Sequence, residues 1–141
     1  MPPAFRVQTR IPRPVEEVFD HVVEPELLNS YLTATASTPL EAGASVRWTW
    51  PGGESETVHV DAVERNRRVT LRWRAFKVET ETRVEIAFEA EGDRATVVRV
   101  SESGWNADEA GLASSYEHCA GWQHMLMCLK ARMVYGVDLR S

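Results

Sequence analysis

The sequence predicts an α+β domain in which a curved antiparallel sheet of about six to seven strands wraps on one long C-terminal helix. Residues 43–102 contain short segments in which apolar and polar residues alternate, separated by turn sequences such as PGGE and EGDR. Residues 114–136 lack proline, and their apolar residues recur at steps of three and four, as on one face of a helix. Strands joined by tight turns pair antiparallel, and only this helix is long enough to cover the apolar face of their sheet.

The composition limits the classes of function. With 141 residues, 43% of them hydrophobic and 26% charged, residues 1–141 are expected to form a single globular domain. The net charge of −5 argues against nucleic acid as a partner, because phosphate binding needs a concentrated basic face. No apolar run reaches the roughly 20 residues that a membrane span needs.

The two cysteines and the N-terminus favour a cytoplasmic location. The first ten residues, MPPAFRVQTR, lack the apolar core of a signal peptide. Cys119 and Cys128 lie in the same predicted helix, where nine positions separate them by roughly 13 Å along the axis. That separation is too large for a disulfide, so both are expected to be free thiols.

The N-terminal third predicts one strand and two short helices. Residues 5–11 alternate between apolar and polar side chains and indicate a half-buried strand. Pro14 and Pro25 each stand at a first helical position, which proline tolerates. The helix after Pro14 has an apolar face, and the helix after Pro25 covers the sequence PELLNSYL. A further short strand is expected within residues 33–38.

Regular alternation after Gly43 predicts the remaining strands and their buried face. The phase of the alternation slips at Val63. The predicted inward-facing residues are Val46, Trp48, Trp50, Val58, Val60, Ala62, Val69, Leu71, Trp73, Val84, Ile86, Phe88, Val98 and Val100.

The terminal helix is predicted to present two different faces. At 1.5 Å per residue, residues 114–136 would form a helix about 30 Å long. Its inner stripe comprises Cys119, Trp122, Leu126, Leu129 and Met133. Its outer face comprises Gln123, Met127, Lys130 and Val134.

Several phrases of the chain together resemble one family. They are IPRPVEEVFDHVVEPELLNSYL, EAGASVRWTWPGGE, VERNRRVTLRW, VVRVSESGW and GWQHMLMCLKARM, in that order along the chain. They resemble the START-like (SRPBCC, birch-pollen-allergen) superfamily, in the branch named after the activator of the heat-shock-protein-90 ATPase. The resemblance implies the helix-grip fold with a cavity between sheet and helix, and it brings a stress-response association, but one scaffold of this kind hosts many functions.

Two departures from the family pattern affect the expected cavity. The second short helix ends in NSYLTAT, where the family commonly has a tryptophan-rich phrase. Glu102 stands where the family commonly has a histidine, two residues before Gly104. A carboxylate differs chemically from an imidazole, so the family's ligand preference does not transfer to this chain.

The candidate ligand-binding residues are mostly aromatic. They are Trp48, Trp50, Trp73, Phe88, Glu102, Tyr116, His118, Trp122 and Leu126. Aromatic walls with few polar groups are typical of small-molecule sites. The alternative interpretation is that these side chains simply fill a core.

Glu102, Tyr116 and His118 are the candidate polar groups at the mouth of the cavity. Glu102 shares the inward phase of Val98 and Val100, and a buried carboxylate often marks a functional site. The three could orient a polar ligand or act as general acid and base. Alternatively, Glu102 lies in water at a frayed strand end.

No metal site or cofactor is predicted. The residues His118, Cys119, His124 and Cys128 lie on one helix and do not converge as metal ligands normally do. The sequence also lacks a glycine-rich phosphate loop, a serine nucleophile elbow and an HExxH motif.

Three hypotheses of function follow. The first is a binding protein that holds a small apolar, aromatic or lipid-like molecule between the sheet and the terminal helix. The second is a co-chaperone-like interaction module that contacts a chaperone or a second copy of itself through the outer face of the helix. The third is an enzyme resembling polyketide cyclases or aromatases, which requires Glu102 and His118 to converge within hydrogen-bond reach.

Overall fold

The computed structural model describes residues 1–140 and confirms the helix-grip architecture. Within these residues, seven strands form one antiparallel sheet. The strands are β1 (Ala4–Ile11), β2 (Thr35–Ala36), β3 (Ser45–Thr49), β4 (Ser55–Glu64), β5 (Arg68–Arg74), β6 (Glu81–Glu91) and β7 (Ala95–Ser103). The helices are α1 (Val15–Val23), α2 (Pro25–Leu28) and α3 (Glu109–Lys130), and α3 continues into a π-helical turn (Ala131–Tyr135).

The sheet order is β1-β7-β6-β5-β4-β3-β2, so the chain meanders from β2 to β7 and β1 completes the edge beside β7. The predicted alternation is confirmed, because Trp48, Leu71 and Val84 are fully buried on the inner face. The outer face carries ion pairs such as that of Arg72 with Asp61, at 2.9 Å. Burial of the inner face stabilises the fold by about 25 cal/mol per Å² of apolar surface.

The predicted slip in β4 is a β-bulge. The register with β5 shifts between Val60 and Ala62, slightly before the predicted position at Val63. The bulge turns Ala62 outward, where it is exposed, and turns Val63 partly inward. The expectation that Ala62 faces the core is therefore wrong, because the extra residue reverses the alternation.

The terminal helix begins five residues earlier than predicted, at Glu109 rather than at position 114. The carboxylate of Asp108 caps it by accepting a hydrogen bond from the Gly111 N–H at 2.7 Å. Gly111 fits because a Cβ there would meet the carbonyl oxygen of Asn106 at 2.2 Å. The end agrees with the prediction, since Gly136 adopts the left-handed conformation with φ of 67°.

The remaining differences concern short elements. The helix α2 ends at Leu28, and the expected strand within 33–38 is only the two residues of β2. On α3, Trp122, Leu126 and Leu129 are buried as predicted, whereas Cys119 is only partly buried.

No helix within residues 1–140 is both long enough and apolar enough to span a membrane.

Candidate functional site

A cavity of about 450 Å³ lies between the inner face of the sheet and α3. Small-molecule sites typically have volumes of about 300–1,000 Å³. Trp48, Trp50 and Trp73 line it from the sheet, and Trp122 lines it from α3. The loop between β5 and β6, residues 75–80, contributes Phe76 to the same lining.

The tryptophans form one connected aromatic wall. Trp48 meets Trp73 edge to face, with ring centroids 6.1 Å apart and planes at 87°. Trp73 in turn packs against Trp122 at 5.4 Å, and Trp50 packs against Trp48 at 6.0 Å. Such offset and edge-to-face contacts are favourable for aromatic rings and hold each ring in place.

A buried carboxylate, Glu102, lies directly behind this wall and is 1% exposed. Its Oε2 accepts hydrogen bonds from Trp73 Nε1–H at 2.9 Å and from the Thr82 hydroxyl at 2.6 Å. Its Oε1 accepts one from Trp122 Nε1–H at 2.8 Å. The Nδ1 of His118 lies 2.8 Å from Oε2 and 3.0 Å from Oε1. Four donors therefore satisfy the charge, as a buried carboxylate requires.

The fold explains why these donors converge. Trp73 on β5 is paired with Thr82 on β6, and Glu102 lies diagonally from Thr82 on β7. The helix adds His118 and Trp122, which share a face because they are four residues apart. The cluster of Trp73, Thr82, Glu102, His118 and Trp122, which we call the Glu102 cluster, thus joins three strands to α3.

The hydrogen bonds of His118 assign its protonation state. The backbone N–H of Phe76 points at Nε2 of His118 at 2.9 Å, so Nε2 must be an acceptor. The ring proton is therefore on Nδ1, which donates to Glu102, and the imidazole is neutral. Trp73 and Trp105 pack against this ring in T-shaped contacts, with ring centroids 5.6 and 5.2 Å away.

The phrase Ser-Gly-Trp after β7 supports the cluster from one side. Gly104 has a φ of 117°, and a Cβ there would approach the carbonyl oxygen of Glu81 to 3.2 Å. The turn places Trp105 in the core, 2% exposed, where its Nε1–H donates to the hydroxyl of Ser114 at 3.0 Å. Glycine is therefore needed in this turn for both its conformation and its size.

The predicted binding residues occupy different surroundings. Trp48, Trp50, Trp73, His118 and Trp122 line the cavity. Glu102 lies behind the aromatic wall rather than in the lining.

The other three predicted binding residues lie away from the cavity. Phe88 packs against Phe19 of α1, with ring centroids 5.1 Å apart, and Leu126 is completely buried in the core. Tyr116 is 67% exposed. The expectation that Tyr116 joins Glu102 and His118 at the mouth is wrong, because residues two apart on a helix point in different directions.

The sequence interpretation did not include Glu56, which lines the cavity from β4. Glu56 has the same phase as Val58 and Val60, so extending the alternation by one step would have found it. Burial raises the pKa of the Glu56 carboxyl, with a smaller contribution from Glu54, while the positive charge of Arg74 acts in the opposite direction. Within residues 1–140, no hydrogen bond is among the causes of this shift.

The two arginines at the cavity already have partners. Arg74 pairs with Glu79 at 2.7 Å. Arg140 pairs with Asp138 at 2.8 Å and donates to the carbonyl oxygen of Thr33 at 2.9 Å. The hydrogen bonds from Arg140 lower the pKa of Asp138 to about 2.

A cysteine and a histidine also meet in the cavity wall. The Sγ of Cys128 is 3.4 Å from Nε2 of His124, and burial raises the pKa of this thiol. Within residues 1–140, no three His, Cys, Asp or Glu side chains lie close enough together to hold a metal ion.

Comparison with solved structures supports the fold. DynU16, from the dynemicin biosynthetic locus, is 27% identical, with a TM-score of 0.82. The match covers 94% of this chain and 48% of DynU16, so this chain spans about half the length of that protein. SSP2350 from Staphylococcus saprophyticus is 22% identical with a TM-score of 0.80, over 99% of this chain and 97% of that one. The Aha1 dimer from Colwellia psychrerythraea is 20% identical with a TM-score of 0.76, over 95% of this chain and 98% of that one.

Comparison with protein sequences identifies the family. A search of curated proteins gave no match. Residues 12–133 match the family model described as activator of Hsp90 ATPase homolog 1-like protein. This match covers most of the chain and confirms the resemblance inferred from the sequence. The chain belongs to the family of activator of Hsp90 ATPase homolog 1-like proteins, within the helix-grip superfamily.

Proposed function

We propose that this protein binds a small apolar or aromatic molecule in the cavity between the sheet and α3. The observation that carries the proposal is the set of four tryptophans, Trp48, Trp50, Trp73 and Trp122, around a space of about 450 Å³. A ligand that buries about 200 Å² of apolar surface there would gain about 5 kcal/mol from the hydrophobic effect. Flat aromatic walls favour a ligand with an aromatic or alicyclic body.

In this proposal Glu102 holds the walls of the site in place and does not itself contact the ligand. Glu102 fixes the indole rings of Trp73 and Trp122 through their N–H groups, on two different elements. Because both rings are held before binding, little side-chain entropy is lost when the ligand enters.

The test is a titration with 1-naphthalenemethanol, a neutral aromatic probe, followed by calorimetry and by tryptophan fluorescence. We expect saturable binding with one site. Trp50→Ala removes a wall that is only partly buried, and should raise the Kd about tenfold, which corresponds to about 1.4 kcal/mol. The matched control is Tyr135→Ala, because Tyr135 is an aromatic residue that is 73% exposed. Failure to bind this probe and a panel of other neutral aromatic and lipid-like compounds would contradict the proposal.

A second function, a co-chaperone-like interaction module, has a separate observation in its favour. Leu112, Tyr116 and Met127 lie on one side of α3 and are 43%, 67% and 53% exposed. Family membership and the Aha1 structure, which is a dimer, support an interaction with a chaperone or with a second copy of the chain. Light scattering of the protein and of Met127→Glu tests self-association, and pull-down with a purified Hsp90-type chaperone tests the other partner. A monomer that captures no chaperone would count against this function.

A cyclase-like enzyme has less support than either binding function. Glu102 and His118 do converge, at 2.8 Å. Every position where His118 could take or give a proton is nevertheless in use, because Nδ1 donates to Glu102 and Nε2 accepts from Phe76. Acid–base chemistry would first require the loop that contains Phe76 to move away.

A further inference from the structure

The charges around the cavity do not balance. Arg74 and Arg140 are each committed to a carboxylate of their own, Glu79 and Asp138 respectively. Glu56 has no such partner. Two carboxylates therefore line a space that is otherwise mainly aromatic, the partly buried Glu56 and, at the rim, the exposed Glu117.

The position of Glu56 brings its charge next to aromatic rings. Glu56 on β4 is the direct cross-strand partner of Trp48 on β3. It shares the inner face with Trp48, and it is only partly exposed. Trp50 and Trp73 each pack against Trp48, and all three rings line the same cavity as Glu56.

We propose that the ligand of this cavity carries a protonated amine, which the Glu56 carboxylate and the neighbouring indole rings recognise together. This rests on the proposed function, that the cavity binds a small molecule. A carboxylate accepts charge-assisted hydrogen bonds from an ammonium group, and the faces of tryptophan attract cations more strongly than those of other aromatic residues. The ligand class is thus an aromatic or alicyclic amine rather than a neutral molecule or a carboxylic acid.

The other ionisable groups near Glu56 do not supply the positive charge that a bound amine would place beside its carboxylate. Arg74 is paired with Glu79, and His118 is neutral in its hydrogen-bonded state. Glu117 is exposed at the rim of the cavity and adds negative charge. Burial raises the pKa of Glu56, and the opposite effect of Arg74 does not cancel it.

The test compares three probes of nearly the same shape at pH 7.5: 1-naphthylmethylammonium, 1-naphthalenemethanol and 1-naphthoate. Calorimetry should show that the cation binds about tenfold more tightly than the neutral alcohol, and that the anion binds more weakly than both. In Glu56→Gln the cation should lose this advantage, while the Kd of the alcohol stays within about twofold. In Glu56→Lys the order should reverse in favour of the naphthoate.

The control variant is Glu54→Gln, which removes the same charge two residues away on the same hairpin. Glu54 is exposed and outside the cavity lining, so the preference for the cation should persist. Equal effects of Glu54→Gln and Glu56→Gln would mean that only the net charge attracts the cation, and would overturn the inference. Binding of the alcohol with no preference for the cation would also overturn it while leaving the proposed function intact. Absence of binding by all three probes would instead contradict the proposed function for this ligand size.

Discussion

Replacement of Glu102 by alanine should destabilise the protein strongly, although the residue is a charged group in a core. The substitution removes one acceptor group and leaves four donors in place: the indole N–H groups of Trp73 and Trp122, the hydroxyl of Thr82 and the Nδ1–H of His118. Each buried donor left without an acceptor costs about 1–3 kcal/mol.

The total cost should be smaller than the sum of four such penalties. The hydroxyl of Thr82 can rotate, and water from the adjacent cavity can reach part of the vacated space. If two of the four donors remain without an acceptor, Glu102→Ala should cost about 2–6 kcal/mol. Glu102→Gln should cost about 2–3 kcal/mol, because the amide oxygen still accepts while the amide nitrogen faces donors.

The measurement is urea unfolding followed by circular dichroism at 222 nm, which avoids the direct effect of the substitutions on tryptophan fluorescence. The matched control is Glu85→Ala, on the outer face of the same sheet, where the side chain is 44% exposed. The control should change the free energy of unfolding by no more than about 0.5 kcal/mol. A loss below about 1 kcal/mol for Glu102→Ala, with an unchanged m-value, would refute the view that the cluster holds the sheet to the helix.

Three further predictions follow from individual residues. Burial raises the folded-state pKa of Glu56 above its ordinary value of 4.5, so the charged carboxylate destabilises the folded state once the pH has risen through the raised pKa. Glu56→Gln should therefore raise the Tm at pH 7.5 and have no such effect below pH 4.5, and an equal gain at both pH values would contradict this. Gly104→Ala should cost about 2 kcal/mol or more in thermal or urea unfolding, since Gly104 has a φ of 117° and a Cβ would lie only 3.2 Å from the backbone of Glu81 and Thr82. Gly92→Ala, with a φ of 65° and open space around the Cβ, should cost about 1 kcal/mol. A thiol reagent followed by mass spectrometry should label the partly buried Cys119 well before Cys128, which is 1% exposed and has a raised pKa; equal rates would mean that Cys128 is accessible through the cavity.

The fold was predictable because it depends on local periodicity. Alternation of apolar residues identified the strands, and the inner face it indicated from Val46 to Val100 is buried, except for the exposed Ala62 and the partly buried Trp50. The same rule placed Glu102 on the inner face with Val98. The family phrases predicted how these elements assemble, as a helix-grip fold. The sheet order and the family match agree with that prediction.

The candidate site was less predictable because it depends on register and on helix rotation. The meeting of Trp73, Thr82 and Glu102 requires the pairing of three strands, and alternation alone does not determine which residues lie side by side. On the helix, the sequence placed Tyr116 with His118, although two residues along a helix correspond to more than half a turn. Only residues three or four apart, such as His118 and Trp122, share a face.

Two glutamates on the inner face, Glu102 and Glu56, have opposite environments, and the difference argues for opposite roles. Glu102 has four donors, which leave no group of the carboxylate available to a ligand. Glu56 has none, and its burial works against its charge. A carboxylate that is unfavourable in the free protein lowers its stability, and a bound cation would offset that cost. Glu102, the leading candidate from the sequence, therefore holds the walls of the site. Glu56, which the sequence interpretation did not include, is the better candidate for direct contact with the ligand.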